Sequence, residues 1–307
     1  MTYVATLISA PDRRAVSDAL VARVADMLPQ ARLGAWRAAG TAVDILFADP
    51  TPGAPAAASR TLMQQLRNVV GAATVDVIVQ PEHGRRKKLL VADMDSTMIG
   101  QECIDELADY AGVKDRVAAI TERAMRGEIA FAPALRERVA LLQGLPAATI
   151  NQVIAERIRP NPGATTLIRT MRANGAYTCV VTGGFTAFMA PLAKAIGFDE
   201  YHANILLTDS AGRLTGQVAE PVLGRNAKRD TLLRLAERLR LGREETLAVG
   251  DGANDIPMIE AAGLGVAFHG KPALREAAHA CIDHGDLTAL LYAQGYRRED
   301  FAETAKE

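Results

Sequence analysis

The chain has 307 residues, of which 49% are hydrophobic and 23% are charged, and its formal net charge is −1 at pH 7. This length predicts two domains, and this composition excludes a disordered or fibrous protein. A net charge near zero provides no general attraction to nucleic acid or to an anionic membrane. We therefore expect any partner to be recognised at a local site.

The first 80 residues predict a small α+β domain. Short apolar runs that are typical of strands lie at 3–9, 35–37, 43–48 and 74–80. Segments with apolar residues at helical spacing lie at 15–27 and 61–70. The resulting order β-α-β-β-α-β is that of a ferredoxin-like sandwich.

Residues 81–88 contain four consecutive basic residues, at 85–88, close to Pro81 and Gly84. So short a run beside proline and glycine is more typical of a solvated linker than of a nucleic-acid surface. We therefore predict a basic linker at 81–88 and no binding of nucleic acid.

Residues 89–307 show the pattern of an α/β domain. Continuous apolar runs, which suit strands buried on both faces of a parallel sheet, lie at 89–94, 177–181, 246–249 and 264–268. Helical patterns separate these runs, so we predict a doubly wound, Rossmann-like parallel sheet.

Two segments interrupt this alternation of strands and helices. Residues from about 101 to 159 predict a long, mostly helical insert. Residues 203–220 predict a small β-hairpin in which Gly212 supplies the turn.

The three cysteines, Cys103, Cys179 and Cys281, lie far apart and without CxxC spacing, which favours neither a disulfide framework nor a zinc site. The first residues lack the pattern of a signal peptide, and no apolar run reaches the roughly 18 residues of a membrane span. We therefore expect a cytoplasmic protein without a membrane partner.

Polar residues follow three of the predicted parallel strands. They are Asp93 and Asp95 after the first strand, Thr182, Gly183 and Gly184 after the second, and Asp251, Asn254 and Asp255 after the third. In an open parallel sheet, ligands bind in the crevice outside the carboxyl ends of the strands. We therefore expect these residues to meet in one pocket.

Four carboxylates in one pocket would repel one another unless a cation neutralises them. Mg²⁺ suits such a site because it binds a few carboxylates together with water and phosphate oxygens. Gly183 and Gly184 precede the helical run 185–196, where free backbone N–H groups favour an anion. This combination predicts phosphoryl chemistry, in which one carboxylate is the nucleophile and a second is the proton donor.

Four motifs support this interpretation. They are Asp93-Met-Asp-Ser-Thr97, Thr182-Gly-Gly184, Lys228, and GDGANDIPM at 250–258. In order and spacing they resemble the signature motifs of the haloacid dehalogenase-like hydrolases, and the resemblance covers about residues 88–290. Met94 stands where many members have Phe, and it is of similar size. Thr182 stands where many members have Ser, and it keeps the hydroxyl group.

The segments 93–112 and 131–146 are similar to the members of that family that act on phosphoserine. The resemblance implies Mg²⁺-dependent hydrolysis of O-phospho-L-serine to L-serine and phosphate through a phosphoaspartyl intermediate, as the last step of serine biosynthesis. It implies that Asp93 is the nucleophile and Asp95 the general acid and base. One Mg²⁺ would be held by Asp93, the backbone carbonyl of Asp95, and Asp251.

The resemblance also implies the residues that bind the substrate. Those placed near the phosphate and the metal are Thr182, Gly183, Lys228 and Asn254, with Lys228 also pairing with Asp93 and Asp255 lying nearby. Glu102 would take the ammonium group of serine, and Arg138 would take its carboxylate in a bidentate geometry. The apolar positions that line the same pocket are Phe131 and Met125.

The helical insert occupies the place where this family has a cap, so we expect it to close over the substrate, with the hairpin as a second flap. By element order the N-terminal sandwich resembles an ACT-like regulatory domain. The resemblance leaves open whether that domain binds serine, only forms a homodimer, or has no ligand.

Two alternatives to hydrolysis stay open. The first is a phosphatase for another small phosphate, or a phosphotransferase that passes the phosphoryl group to an alcohol such as homoserine. The second is a non-catalytic phospho-acceptor or amino-acid sensor, because signalling receivers also pair an acceptor Asp with a Lys. Asp95 and the long insert disfavour the second alternative.

Overall fold

A computed structural model describes residues 1–49, 57–126, 128–224 and 226–302, with only the backbone of 57–60 and Met125. The N-terminal unit consists of β1 (Thr2–Ser9), α1 (Asp18–Ala25), β2 (Arg32–Ala38), β3 (Ala42–Ala48), α2 (Ala57–Val70) and β4 (Val75–Pro81). Its four strands form an antiparallel sheet in the order β2-β3-β1-β4.

Helix α1 begins where Ser17 caps it. The Ser17 hydroxyl accepts a hydrogen bond from the Leu20 N–H at 3.2 Å, which satisfies one of the N–H groups left free at a helix start. Leu20, Val21 and Val24 form the buried face of this helix. The helix therefore covers one face of the antiparallel sheet.

The second unit contains a parallel sheet, helices on both of its faces, and a separate hairpin. Its strands are β5 (Leu89–Ala92), β6 (Tyr177–Phe185), β7 (Glu200–Asn204), β8 (Leu206–Thr208), β9 (Leu214–Val218), β10 (Thr246–Gly250), β11 (Leu264–Phe268) and β12 (Ala280–Ile282). Its helices are α3 (Cys103–Tyr110), α4 (Lys114–Met125), α5 (Phe131–Ala140), α6 (Thr149–Arg157), α7 (Ala164–Ala173), α8 (Thr186–Ile196), α9 (Ala227–Leu239), α10 (Ile256–Ala261), α11 (Pro272–Ala277) and α12 (Ala289–Ala293). None of the helices in the described part of the chain is long and apolar enough to cross a membrane.

Six of these strands form a parallel sheet in the order β12-β11-β10-β5-β6-β7, which confirms the predicted α/β fold. Along β5, Leu89 and Val91 pack into one core, and Leu90 and Ala92 pack into the other. Because both faces are buried, the strand is a continuous apolar run in the sequence. The edge strands β7 and β12 lack such a run, and sequence analysis missed both.

The chain enters the parallel sheet at its centre. From β5 it proceeds to β6 and β7 on one side, and then to β10, β11 and β12 on the other. The crevice for a ligand in such a sheet lies where the strand order reverses, here between β5 and β10. Asp93 follows β5 and Asp251 follows β10.

The N-terminal unit is docked on the second unit by buried polar groups. The Asp76 carboxylate on β4 accepts hydrogen bonds from the backbone N–H groups of Asp283, His284 and Gly285, the shortest at 2.8 Å. Asp76 is only 4% exposed. These bonds join β4 to the loop that follows β12.

The basic linker differs from the prediction of a solvated segment. Arg85 lies 2.8 Å from the buried Asp44 carboxylate, and Lys87, which is 7% exposed, donates to the carbonyl oxygens of Gly84 and Glu244. Burial lowers the pKa of Lys87 to about 8. Two of the four basic side chains are therefore part of the packed structure, because Asp44 and Glu244, which are remote in sequence, accept hydrogen bonds from them.

We predict that Asp76→Ala lowers the free energy of unfolding by about 2–4 kcal/mol, because it leaves three backbone N–H groups without their acceptor. Urea denaturation followed by circular dichroism measures this loss. The control is Asp12→Ala, which removes an exposed carboxylate. Equal stability of the two variants would show that the Asp76 bonds do not hold the units together.

Candidate active site

A buried lysine joins two carboxylates at the reversal of strand order. The Lys228 ammonium on α9 lies 2.7 Å from Asp93 Oδ2 and 2.5 Å from Asp255 Oδ1. All three residues are at most 5% exposed. Burial disfavours the charged lysine, but the two carboxylates raise its pKa, so Lys228 stays protonated.

Asp93 is held at both of its oxygens. Its Oδ1 accepts the Met94 N–H at 2.7 Å, and its Oδ2 contacts Lys228. Burial and the neighbouring Asp255 carboxylate raise the pKa of Asp93 well above its ordinary value, and Lys228 opposes that rise. Lys228 alone does not cancel the rise, so an ionised Asp93 calls for a further cation nearby.

Asp255 orients the loop that follows β10. Its Oδ2 accepts the N–H groups of Asp251 and Gly252, each at 3.2 Å, and Asn254 Nδ2 lies 3.4 Å from its Oδ1. A Cβ atom on Gly250 would lie 2.4 Å from the Asp255 carboxyl carbon, so this position has no room for a side chain. Close packing against Asp255 therefore requires glycine at position 250.

Asp95 connects the first motif to the second. Its Oδ1 accepts the Cys103 N–H and its Oδ2 accepts the Thr182 hydroxyl, both at 3.0 Å. The Thr182 oxygen in turn accepts the Gly184 N–H at 2.9 Å. The prediction that Gly184 offers a free N–H was therefore wrong, because this N–H donates its hydrogen bond to the Thr182 hydroxyl.

Gly183 meets the helical insert. A Cβ atom at this position would lie 2.8 Å from the ring of Phe131, which is the first residue of α5. The Gly183 carbonyl accepts a hydrogen bond from Asn204 Nδ2 at 2.8 Å. Sequence analysis missed Asn204, which is 2% exposed and fixes the end of β6.

Glu102 and Arg138 lie on the insert side of the site. Glu102 accepts a hydrogen bond from the Ser96 hydroxyl at 2.7 Å. Glu102 is exposed, yet desolvation of its carboxyl group together with the nearby Asp95 carboxylate raises its pKa to about 7.

The Arg138 guanidinium is half-buried, and its hydrogen bonds to described residues are long, to Ala134 O at 3.3 Å and to Thr121 Oγ1 at 3.4 Å. Burial lowers the pKa of Arg138, and the charges of Asp105 and Glu102 oppose this effect. Within the described residues Arg138 forms no ion pair. The side chain of Met125, also predicted to line this pocket, lies outside the described residues.

The carboxylates form a group that fits a divalent cation. Oxygen atoms of Asp93, Asp251 and Asp255 lie within 4.8 Å of one another. The charged side chains of the centre are the carboxylates of Asp93, Asp95, Asp251 and Asp255 and the ammonium groups of Lys228 and Lys271. The ammonium groups balance two of these negative charges, and Glu102 adds a further carboxyl group near Asp95 and Asp251. Oxygen ligands with negative charge left over suit Mg²⁺.

Sequence analysis also missed Lys271. Its ammonium lies 3.0 Å from Asp251 Oδ2, and its backbone N–H donates to the Asp251 carbonyl at 2.8 Å. Lys271 and Asp251 line a cavity of about 760 Å³ together with Ser96. The sequence pattern does not identify this lysine as a site residue, because it lies in the loop between β11 and α11, which has no periodic pattern.

Comparisons with known proteins agree with this geometry. Residues 87–263 match the family model of the haloacid dehalogenase-like hydrolases. Over 237 residues the chain is 46% identical to phosphoserine phosphatase SerB2 of Mycobacterium tuberculosis, an alignment that covers 76% of this chain and 57% of that relative. The chain therefore spans little more than half the length of that relative.

Two solved structures are similar to the chain over nearly their whole length. The haloacid dehalogenase family hydrolase t0658 of Salmonella enterica serovar Typhi has a TM-score of 0.83 and 29% identity, and the match covers 95% of this chain and 98% of that one. A phospho-aspartyl intermediate analogue of phosphoserine phosphatase has a TM-score of 0.62 and 42% identity, with coverage of 67% and 98%. With a family match across more than half of its residues, this chain belongs to the haloacid dehalogenase-like hydrolases.

Proposed function

We propose that this protein hydrolyses O-phospho-L-serine to L-serine and phosphate with the help of one Mg²⁺ ion, as the last step of serine synthesis. The observation that carries the proposal is Asp93 fixed by Lys228, with the proton donor Asp95 two residues further on. The similarity to proteins named phosphoserine phosphatase supports the choice of substrate.

In the first step, a carboxylate oxygen of Asp93 attacks phosphorus, and the bond from phosphorus to the serine oxygen breaks. Asp95 gives its proton to that oxygen, so serine leaves as a neutral alcohol. The Thr182 hydroxyl, bonded to Asp95 Oδ2, orients this acid. The products of the step are serine and a phosphorylated Asp93.

In the second step, water attacks the phosphorylated Asp93, and Asp95 accepts a proton from the water. The bond between phosphorus and the Asp93 oxygen breaks, which releases phosphate and restores the carboxylate. Lys228 keeps its positive charge beside Asp93 through both steps.

The proposed metal ligands are Asp93, the backbone carbonyl of Asp95, and Asp251. When bound there, Mg²⁺ would neutralise charge on the phosphate oxygens and on the buried carboxylates. The residues proposed to bind the phosphate are Thr182, Gly183, Lys228 and Asn254.

The insert would read the serine part of the substrate. Glu102 takes the ammonium group, and Arg138 takes the carboxylate, for which its guanidinium has no competing ion pair among the described residues. The Phe131 ring, in contact with Gly183, closes the apolar side of this pocket. The role of Met125 rests on the family resemblance alone.

The insert at about 101–159 is proposed to act as a cap and the hairpin of β8 and β9 as a flap. The hairpin is bonded to the insert, since Gly144 N donates to Leu214 O at 2.8 Å and Leu214 N donates to Leu145 O at 2.9 Å. The cap and the flap would therefore move together.

The proposal divides the chain into an ACT-like domain at 1–80, a linker at 81–88, and a catalytic domain at 89–307. The order of elements and of strands in the N-terminal unit supports a ferredoxin-like sandwich. Serine binding and a homodimer are proposed for this domain. The surface proposed to contact a second copy is the edge strand β2, which carries the exposed Leu33 and lies at the opposite edge of the sheet from β4.

A substrate panel tests the proposed function. Phosphate release is measured from phosphoserine, from other small phosphate esters, and from phosphoserine with homoserine as acceptor, each with Mg²⁺ and with EDTA. We expect release from phosphoserine that EDTA abolishes. Transfer to homoserine would indicate a phosphotransferase, and a lack of turnover on every ester would contradict an enzymatic role.

We predict that Asp93→Asn lowers kcat by about 10⁴-fold, because an amide is a poor nucleophile. The circular dichroism spectrum should remain that of the folded protein. Mass spectrometry should detect no phosphorylated protein. Normal turnover in this variant would refute the proposed role of Asp93.

We predict that Arg138→Ala raises KM for phosphoserine about 100-fold, since it removes the partner of the substrate carboxylate. Arg138→Lys should not restore KM, because lysine lacks the bidentate geometry. O-Phosphoethanolamine, which has no carboxylate, should be affected less than phosphoserine. The control is Arg136→Ala. Arg136 lies on the same helix as Arg138, and its exposed ion pair is with Glu220, which follows β9.

A similar loss on both esters after Arg138→Ala would contradict recognition of the carboxylate. It would indicate instead that Arg138 supports the structure of the insert.

A further inference from the structure

The two lysines at the carboxylate centre differ in how they are held. Lys228 is 5% exposed and contacts two carboxylates. The side chain of Lys271 is 55% exposed and contacts one carboxylate, Asp251. Lys228 is therefore fixed, whereas the exposed side chain of Lys271 borders the cavity and can leave its partner.

The contact between Lys271 and Asp251 is weak enough to be exchanged. Ion pairs with an exposed partner contribute about 0–1 kcal/mol to stability. The backbone of Lys271 stays bonded to the Asp251 carbonyl, so only the side chain has to move. The long methylene chain of lysine allows this movement without a change in the loop.

Asp251 is the residue over which the lysine and the metal would compete. One of its carboxylate oxygens belongs to the oxygen group described above, and its Oδ2 is already in contact with the Lys271 ammonium. A divalent cation that binds Asp251 must displace this ammonium or accept a positive charge beside it.

We propose that Lys271 is a competing cation, which occupies Asp251 when no metal is bound and lowers the affinity of the site for Mg²⁺. The proposal rests on the proposed metal site of this hydrolase. Lys271 thus has two opposite effects. It relieves repulsion between carboxylates in the metal-free protein, and it weakens the binding of the divalent ion.

Lys271→Met tests the proposal, because methionine keeps much of the length of lysine without its charge. Isothermal titration calorimetry with MgCl₂ should show binding that is about 3- to 30-fold tighter than in the unchanged protein. The gain should shrink at high KCl, since salt screens a half-exposed charge. Lys271→Arg, which keeps the charge, should bind Mg²⁺ like the unchanged protein.

The matched control is Lys88→Met. Lys88 forms an ion pair of the same kind, 2.7 Å from Glu245 and with a side chain that is 62% exposed, at the opposite end of the parallel strands. Its removal should leave Mg²⁺ affinity unchanged.

Thermal unfolding provides a second measurement that a merely structural role would not reproduce. In EDTA, Lys271→Met should have a lower Tm than the unchanged protein, because the repulsion at Asp251 is no longer relieved. Saturating Mg²⁺ should remove this difference. An equal decrease in Tm with and without Mg²⁺ would overturn the proposal.

The outcomes separate this inference from the proposed function. Equal or weaker Mg²⁺ binding by Lys271→Met overturns the competition at Asp251, even if phosphoserine is hydrolysed. Absence of Mg²⁺ binding by the unchanged protein contradicts the metal site of the proposed function, and with it this inference.

Discussion

The structure of the site depends on one buried ammonium group, that of Lys228, placed between Asp93 and Asp255. Carboxylates that are buried this close would otherwise repel one another and take up protons. Asp255 is thereby free to accept the N–H groups of the loop that carries Asp251. Lys228 thus favours the ionised form of Asp93, the proposed nucleophile, and through Asp255 it sets the position of a proposed metal ligand.

The parallel sheet determines where this centre can form. Asp93 and Asp251 follow adjacent strands that are separated by more than 150 residues of sequence. The intervening chain supplies the insert, whose Phe131 touches the end of β6, and the hairpin bonded to that insert. The centre and the groups proposed to surround the substrate are therefore assembled from segments that the sheet brings together.

Sequence analysis identified residues whose position at a strand end is itself a signal. Asp93, Thr182 and Asp251 end apolar runs, and the parallel sheet needed to unite them is present. Lys271 and Asn204 were missed because their role depends on loops and edge strands that have no periodic pattern. The buried linker charges could not be predicted, since Asp44, which pairs with Arg85, and Glu244, which accepts from Lys87, lie far away in the sequence. The local sequence pattern predicts where a strand or helix ends, but it does not predict which side chain from a remote part of the sequence will contact that end.

The hydrogen bonds of Asp76 make the boundary between the two units a packed interface. On β1 and β4, the apolar residues Val4, Ile8 and Ile78 share the face that carries Asp76, and all three are at most 1% exposed. A cut at the linker would uncover this face and free the loop at 283–285, part of which lines the cavity beside Asp251. Removal of residues 1–80 would therefore expose an apolar face and alter the loop beside Asp251, so the two units should be expressed and engineered together.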